Sequence, residues 1–141
     1  MDYQFTEEQN MLVESLRAFV DQELIPYENE TDKAGEVSEE LGNQIKKKSM
    51  EMGFYAANLP ESVGGGGLDY VGLALMEREF GKTTYGLHGF CHRPSEILMA
   101  CEGDQIERFL KPCVSGEKKE FFAAGDPKAN RHAAVLESNS K

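Results

Sequence analysis

Apolar positions between residues 6 and 24 keep to one side of a 3.6-residue period. Leu12, Leu16, Phe19, Val20 and Leu24 recur at spacings of three and four, which marks one buried stripe of a helix. Thr6 and Gln9 have the spacing of a capping box, and Glu7 and Glu8 sit where a helix dipole favours carboxylates. Pro26 should end the pattern after about 20 residues, or roughly 30 Å of helix. The polar stretch "ETDKAGE" at 30–36 reads as a turn. Ser38 then caps a second helix that carries Leu41, Ile45 and Met52, with Gly53 as its C′ residue. "FYAANLP" leads out of it as a partly buried, extended connection to Pro60.

Beyond four consecutive glycines at 64–67, the helical period resumes at Leu68 under an Asp69 cap. Val71 and Leu75, joined by Ala74 and Phe80, give its inward side, and Gly81 closes it. A short helix or irregular turn is expected from Thr83 to His92. Pro94 fits the first turn of a helix that carries Ile97, Leu98 and Cys101 inward. Asp104 with Glu107 suggests a further capping box ahead of Ile106, Phe109 and Leu110, and Pro112 should end that helix. Alternation of the strand type first arises at "EFFAA", residues 120–124. The expected fold is all-α, a bundle of five or six helices with a short C-terminal extended segment. The expected division is a helical domain over residues 1–118 and, over 119–141, the truncated start of a β domain and a divergent tail.

Charge narrows the partners. The chain of 141 residues suits one domain and carries a formal net charge of −10, which disfavours nucleic acid and anionic membranes. "KKK" at 46–48 is a local exception, read first as a solvated helix face. No apolar run approaches the roughly 20 residues of a membrane span, and "MDYQFTEEQN" lacks the features of a secretory signal. Cys91, Cys101 and Cys113 match no disulfide framework. Reduced thiols in a cytoplasmic-type compartment are expected, with the mitochondrial matrix left open.

Four candidate chemistries compete for these residues. A phosphate loop of the Walker type would need Lys and Ser or Thr after the glycines, and neither follows Gly67. Asp69 also places a carboxylate where an incoming anion would sit. The glycines are therefore expected to turn the chain sharply and to permit close backbone packing. In "HGFCH", His88, Cys91 and His92 have metal-ligand spacing, but no fourth ligand is evident and no metal is expected. A thiol nucleophile at Cys91 or Cys101 lacks an orienting partner. The Glu pairs at 7–8 and 39–40 read as helix-start electrostatics, and Met50, Met52, Met76 and Met99 as core or pocket filler.

Five stretches in order, "FTEEQNMLVESLRAFVDQELIP", "GFYAANLPESVGGGGLDYVGLALMEREFG", "RPSEIL", "GDQIERFLKP" and "SGEKKEFFA", resemble the N-terminal helical domain of flavin-dependent acyl-CoA dehydrogenases. Together they cover about residues 5 to 123. The resemblance implies an oligomeric enzyme of helical, β and helical domains. It would use FAD to oxidise an acyl-CoA to its 2,3-enoyl form and pass electrons to an electron-transfer flavoprotein. A carboxylate removes the α proton and the flavin accepts the β hydride.

In that family this domain walls off the acyl chain. By position the pocket-facing segment would run from Gly86 to Met99, with Ser95 and Met99 as substrate-facing residues or, equally, core residues. The family segment "FALTEPGAGSD" lies along the flavin and thioester, and this chain reads "FAAGDPKANRH" at 122–132. Phe122, Ala123 and Pro127 match, so Phe122 is the one cofactor-binding residue carried over. Gly125, Arg131 and His132 replace the family's threonine, serine and aspartate.

The catalytic glutamate comes from a C-terminal bundle not found in these 141 residues, so no catalytic residue is assigned. The chain would be an N-terminal domain or truncated form, inactive alone and not expected to hold FAD. It would self-associate or bind a complementing chain. The alternative is a non-catalytic helical interaction module derived from the same family.

Overall fold

The computed structural model describes residues 4–91 and 94–120. Among them are α1 (Glu7–Phe19), α2 (Glu28–Ala34), α3 (Glu39–Glu51), α4 (Tyr70–Phe80), α5 (Tyr85–His88) and α6 (Lys111–Val114), with no strand. The expected extended C-terminal segment and Phe122 lie outside the described residues.

Three caps form as their side chains dictate. Thr6 Oγ1 accepts the Gln9 amide at 3.1 Å while Gln9 Oε1 accepts the Thr6 amide at 3.1 Å. Ser38 Oγ accepts the Leu41 amide at 3.3 Å, and Asp69 Oδ1 accepts the Gly72 amide at 2.7 Å. Gly53 follows α3 at φ +75°, the left-handed position expected of it.

Neither proline ends its helix. After Phe19 the chain widens into a π turn at Val20–Leu24, tightens into a 3₁₀ turn at Ile25–Tyr27, and continues as α2. "ETDKAGE" is therefore helical up to Ala34, and the turn is confined to Gly35 at φ +76°. A second π turn, Ile106–Leu110, precedes Pro112 inside α6. A proline removes one amide and crowds the carbonyl four residues before it. The wide turn relieves that crowding, and Lys118 Nζ donates to the Arg108 carbonyl at 3.0 Å. The second capping interaction also moves: the Gln105 side chain accepts the Glu102 amide at 3.1 Å, two residues before the expected pair of Asp104 and Glu107.

The main core joins α1, α3, α4 and α5. Leu16, Val20, Leu24, Met76 and Leu87 are fully buried. Phe19, Phe54 and Phe80 meet edge to face, with centroids 5.4 to 6.3 Å apart. A second cluster packs Ala56 and Leu59 against Leu110 and Val114. The inward side of α4 is Leu73, Leu75, Met76, Glu79 and Phe80, while Val71 is half exposed and Ala74 exposed. Ile97 is also exposed, and of the four methionines read as filler only Met76 is core.

Glu79 is the buried charge of this core. Arg17 Nε donates to it at 3.3 Å, Arg78 through Nε at 3.1 Å and through its terminal nitrogen at 2.9 Å, and Lys82 also pairs with it. Burial opposes ionisation, but the three cations prevail and hold its carboxyl below the ordinary range.

Candidate functional site

The glycine run is closed to ligands by its own hydrogen bonds. Gly64 donates to Glu61 O, Gly65 to Pro60 O, Gly66 to Ala56 O and Gly67 to Leu59 O, at 2.9 to 3.1 Å. A phosphate cradle needs such amides aimed at the anion, whereas these fold the loop back on the segment before it. A Cβ on Gly65 would stand 2.1 Å from the Leu59 carbonyl oxygen, and one on Gly66 2.9 Å from Ala57 Cα. Backbone contact at that range requires glycine. The structural reading of the run holds.

Folding the loop in this way leaves "FYAANLP" free to meet α5 and its continuation. Asn58 Nδ2 donates to the Pro94 carbonyl at 2.8 Å and so ties that segment to residues 94–100. The Phe90 ring rests on Gly42 of α3: a Cβ there would meet ring carbons at 2.2 to 2.6 Å. These contacts leave two adjoining hollows along the segment that begins at Tyr85.

The first hollow, about 330 Å³, is bounded by Tyr55, Tyr85, Gly86, Gly89, Phe90 and Pro94. Its walls are aromatic rings and bare glycine backbone, so a ligand there meets apolar surface. Tyr55 keeps its hydroxyl hydrogen-bonded to Cys113 O at 3.1 Å, and burial raises its pKa. Lys46, Lys118, Lys119 and Glu120 complete the lining. The second hollow, about 400 Å³, shares Tyr85, Gly89 and Pro94 with the first and includes His88, Ser95 and Glu96. His88 stacks on Phe80 at 6.2 Å, and burial lowers its pKa, which favours the neutral ring.

Ser95 and Met99 border different hollows. Ser95 borders the second hollow, where its hydroxyl accepts the Ile97 amide at 3.3 Å and its own amide donates to Glu120. Met99 borders a separate groove with Leu68, Tyr70 and Leu73, and is 42% exposed, so it is not core. Tyr55, Lys118 and Lys119 had no signal in the sequence as cavity residues. They reach it from segments more than 60 positions apart in the sequence, which no local period encodes.

Of the "HGFCH" ligands, His92 lies outside the described residues. Among the described residues no group of three or more His, Cys, Asp or Glu could hold a metal ion. Cys91 is buried, and burial pushes its thiol up to about 12, far from a nucleophilic thiolate at neutral pH. Among the described residues no helix is long and apolar enough to cross a membrane.

Sequence relatives agree with the helical frame. Residues 6–117 match the family profile described as acyl-CoA dehydrogenase, N-terminal domain. The caffeyl-CoA reductase–Etf complex subunit CarC of Acetobacterium woodii is 27% identical, over 96% of this chain and 36% of that protein. The 3-(aryl)acrylate reductase of Clostridium sporogenes is 29% identical, over 97% of this chain and 37% of its own length. The rat mitochondrial long-chain specific acyl-CoA dehydrogenase is 32% identical, over 97% and 32%. The chain thus spans about a third of the length of these relatives. No solved structure gave a significant match. By this profile match and its helical architecture, the chain belongs to the acyl-CoA dehydrogenase family, a flavin-dependent family, through its N-terminal domain.

Proposed function

We propose that these residues form the N-terminal wall of an acyl-CoA-binding cavity in an FAD-dependent acyl-CoA dehydrogenase. The observation that carries this reading is the first hollow, whose lining residues Gly86, Gly89, Phe90 and Pro94 belong to the segment expected to face the acyl chain. Rings and glycine backbone there can exclude water from an alkyl or aryl group without asking for a polar partner. Family membership supplies the substrate class, since thioester oxidation is the family's chemistry.

The described residues do not fit a flavin: the glycine amides are committed to backbone carbonyls, and Phe122 lies outside the described residues. The base and the flavin surface belong to segments beyond the matched 6–117, so the 141 residues by themselves are expected to be inactive. Electron transfer to an electron-transfer flavoprotein belongs to this proposal, supported by the name of the Acetobacterium relative.

Two assays test the proposal. An octanoyl-CoA analogue with a photoreactive group at the alkyl end should label the peptide containing Tyr85–Phe90, and labelling confined to other peptides would refute the pocket. Anaerobic addition of octanoyl-CoA to the chain with FAD should leave the flavin oxidised; bleaching would show that the missing chemistry is present after all.

A further inference from the structure

Three lysines gather at the mouth of the first hollow in a protein whose net charge is −10. Their described contacts are not carboxylates. Lys46 Nζ donates to the Gly116 carbonyl and lies 5.4 Å from the Tyr55 ring centroid. Lys118 Nζ donates to the Arg108 carbonyl, and Lys119 Nζ stands 5.7 Å above the Phe90 ring. Glu120 also lines the hollow and accepts the Ser95 amide.

Each ammonium has three donors, so a single carbonyl leaves capacity on Lys46 and on Lys118. Burial, and to a smaller extent repulsion from Lys119, hold the Lys46 ammonium below the ordinary lysine range. An anion seated among them would relieve that repulsion. The rings beneath two of these cations are walls of the same hollow, so cationic rim and apolar interior form one continuous surface.

We propose that Lys46, Lys118 and Lys119 form an anion-binding rim that holds the negatively charged end of a ligand whose apolar end enters the hollow bounded by Tyr55, Tyr85 and Phe90. The inference rests on the acyl-CoA reading above and deepens it, because it assigns residues to the charged part of the ligand. The chemistry required is an apolar body joined to an anionic group. Either the phosphates of a CoA thioester or the carboxylate of a free fatty acid could supply it. The residues act as positioning groups and take no part in bond making.

The test compares three ligands of one chain length by isothermal titration of the full chain: octanoyl-CoA, octanoate, and the uncharged S-octanoyl-N-acetylcysteamine. Octanoyl-CoA should bind best and weaken as salt rises from about 20 to 300 mM, because partly exposed charges are screened over that range. Lys119→Gln should weaken octanoyl-CoA about threefold to fivefold, the effect of one partly exposed cation. Lys119→Glu should weaken it at least tenfold, with helical circular dichroism unchanged. The neutral thioester should bind more weakly than octanoyl-CoA and be insensitive to both substitutions.

Equal binding of the neutral thioester and octanoyl-CoA would overturn the rim while leaving the acyl cavity standing. Salt-sensitive binding of octanoate without octanoyl-CoA would keep the rim and overturn the thioester reading. Failure of all three ligands to bind would overturn both.

Discussion

Removing the charge of Glu79 should cost the fold more than removing any other carboxylate of the described residues, and the size of the loss can be worked from its neighbours. The side chain is 1% exposed and meets three cations whose side chains are 41 to 51% exposed. A hydrogen bond to a charged group is worth about 1.5–3 kcal/mol, which gives roughly 6–12 kcal/mol for the four that Glu79 accepts before discounting. Half-exposed cations regain water when released, and a glutamine keeps one acceptor, so the net loss falls to about 2–3 kcal/mol.

Unfolding entropy near 2.1 cal/mol/K per residue is about 0.3 kcal/mol/K for 141 residues, so Glu79→Gln should melt about 7–10 °C lower at pH 7. The pH dependence carries a sign. Because the folded carboxyl titrates below its ordinary value, its stabilisation is complete above the unfolded pKa of about 4.3 and fades as pH falls through the folded value. Melting curves by circular dichroism at several pH values should show the gap between wild type and Glu79→Gln constant from pH 7 to 5.5 and closing below about pH 4. A gap under about 0.5 kcal/mol at pH 7, or one that persists unchanged at pH 3, would refute this account of the core.

Other predictions concern the loop and the thiols. Gly65→Ala should lower stability by about 2–3 kcal/mol in urea denaturation, because the new methyl would meet the Leu59 carbonyl. Gly53→Ala has open space around it and only its left-handed φ to contend with, so it should cost about 1 kcal/mol. Pyrophosphate at millimolar concentration should leave the amide resonances of Gly64–Gly67 unmoved, since those donors are committed. Under native conditions iodoacetamide should alkylate Cys101 well before Cys91, and mass spectrometry should find Cys91 modified only after unfolding.

What could be read from the sequence was what depends on neighbouring residues. Thr6, Ser38 and Asp69 cap helices through bonds that span three residues, so their roles followed from spacing. The stripe of α1 was legible for the same reason. The face of α4 was not: Val71, Leu73, Ala74, Leu75 and Met76 surround the helix with apolar residues, and the period alone leaves the inward direction ambiguous. Its buried carboxylate is stabilised in part by Arg17, 62 positions away. Pro26 and Pro112 misled because a π turn just before each absorbs the defect that normally stops a helix. The segment from Gly86 to Met99 is expected to face the pocket through family resemblance alone and stands as a proposal, whereas the gathering of Lys46, Tyr55, Lys118 and Lys119 along one hollow depends on tertiary folding. Ser95 and Met99 remain proposals, and they stand beside different hollows.

The wall of the acyl cavity is tested most directly by titrating octanoyl-CoA into isotope-labelled chain and following backbone amides by NMR. The largest shifts are predicted at Gly86, Gly89 and Phe90, with the Gly64–Gly67 amides as unmoved internal controls. Saturable shifts confined to residues away from the Tyr85–Phe90 segment, or none at all at millimolar ligand, would contradict the claim.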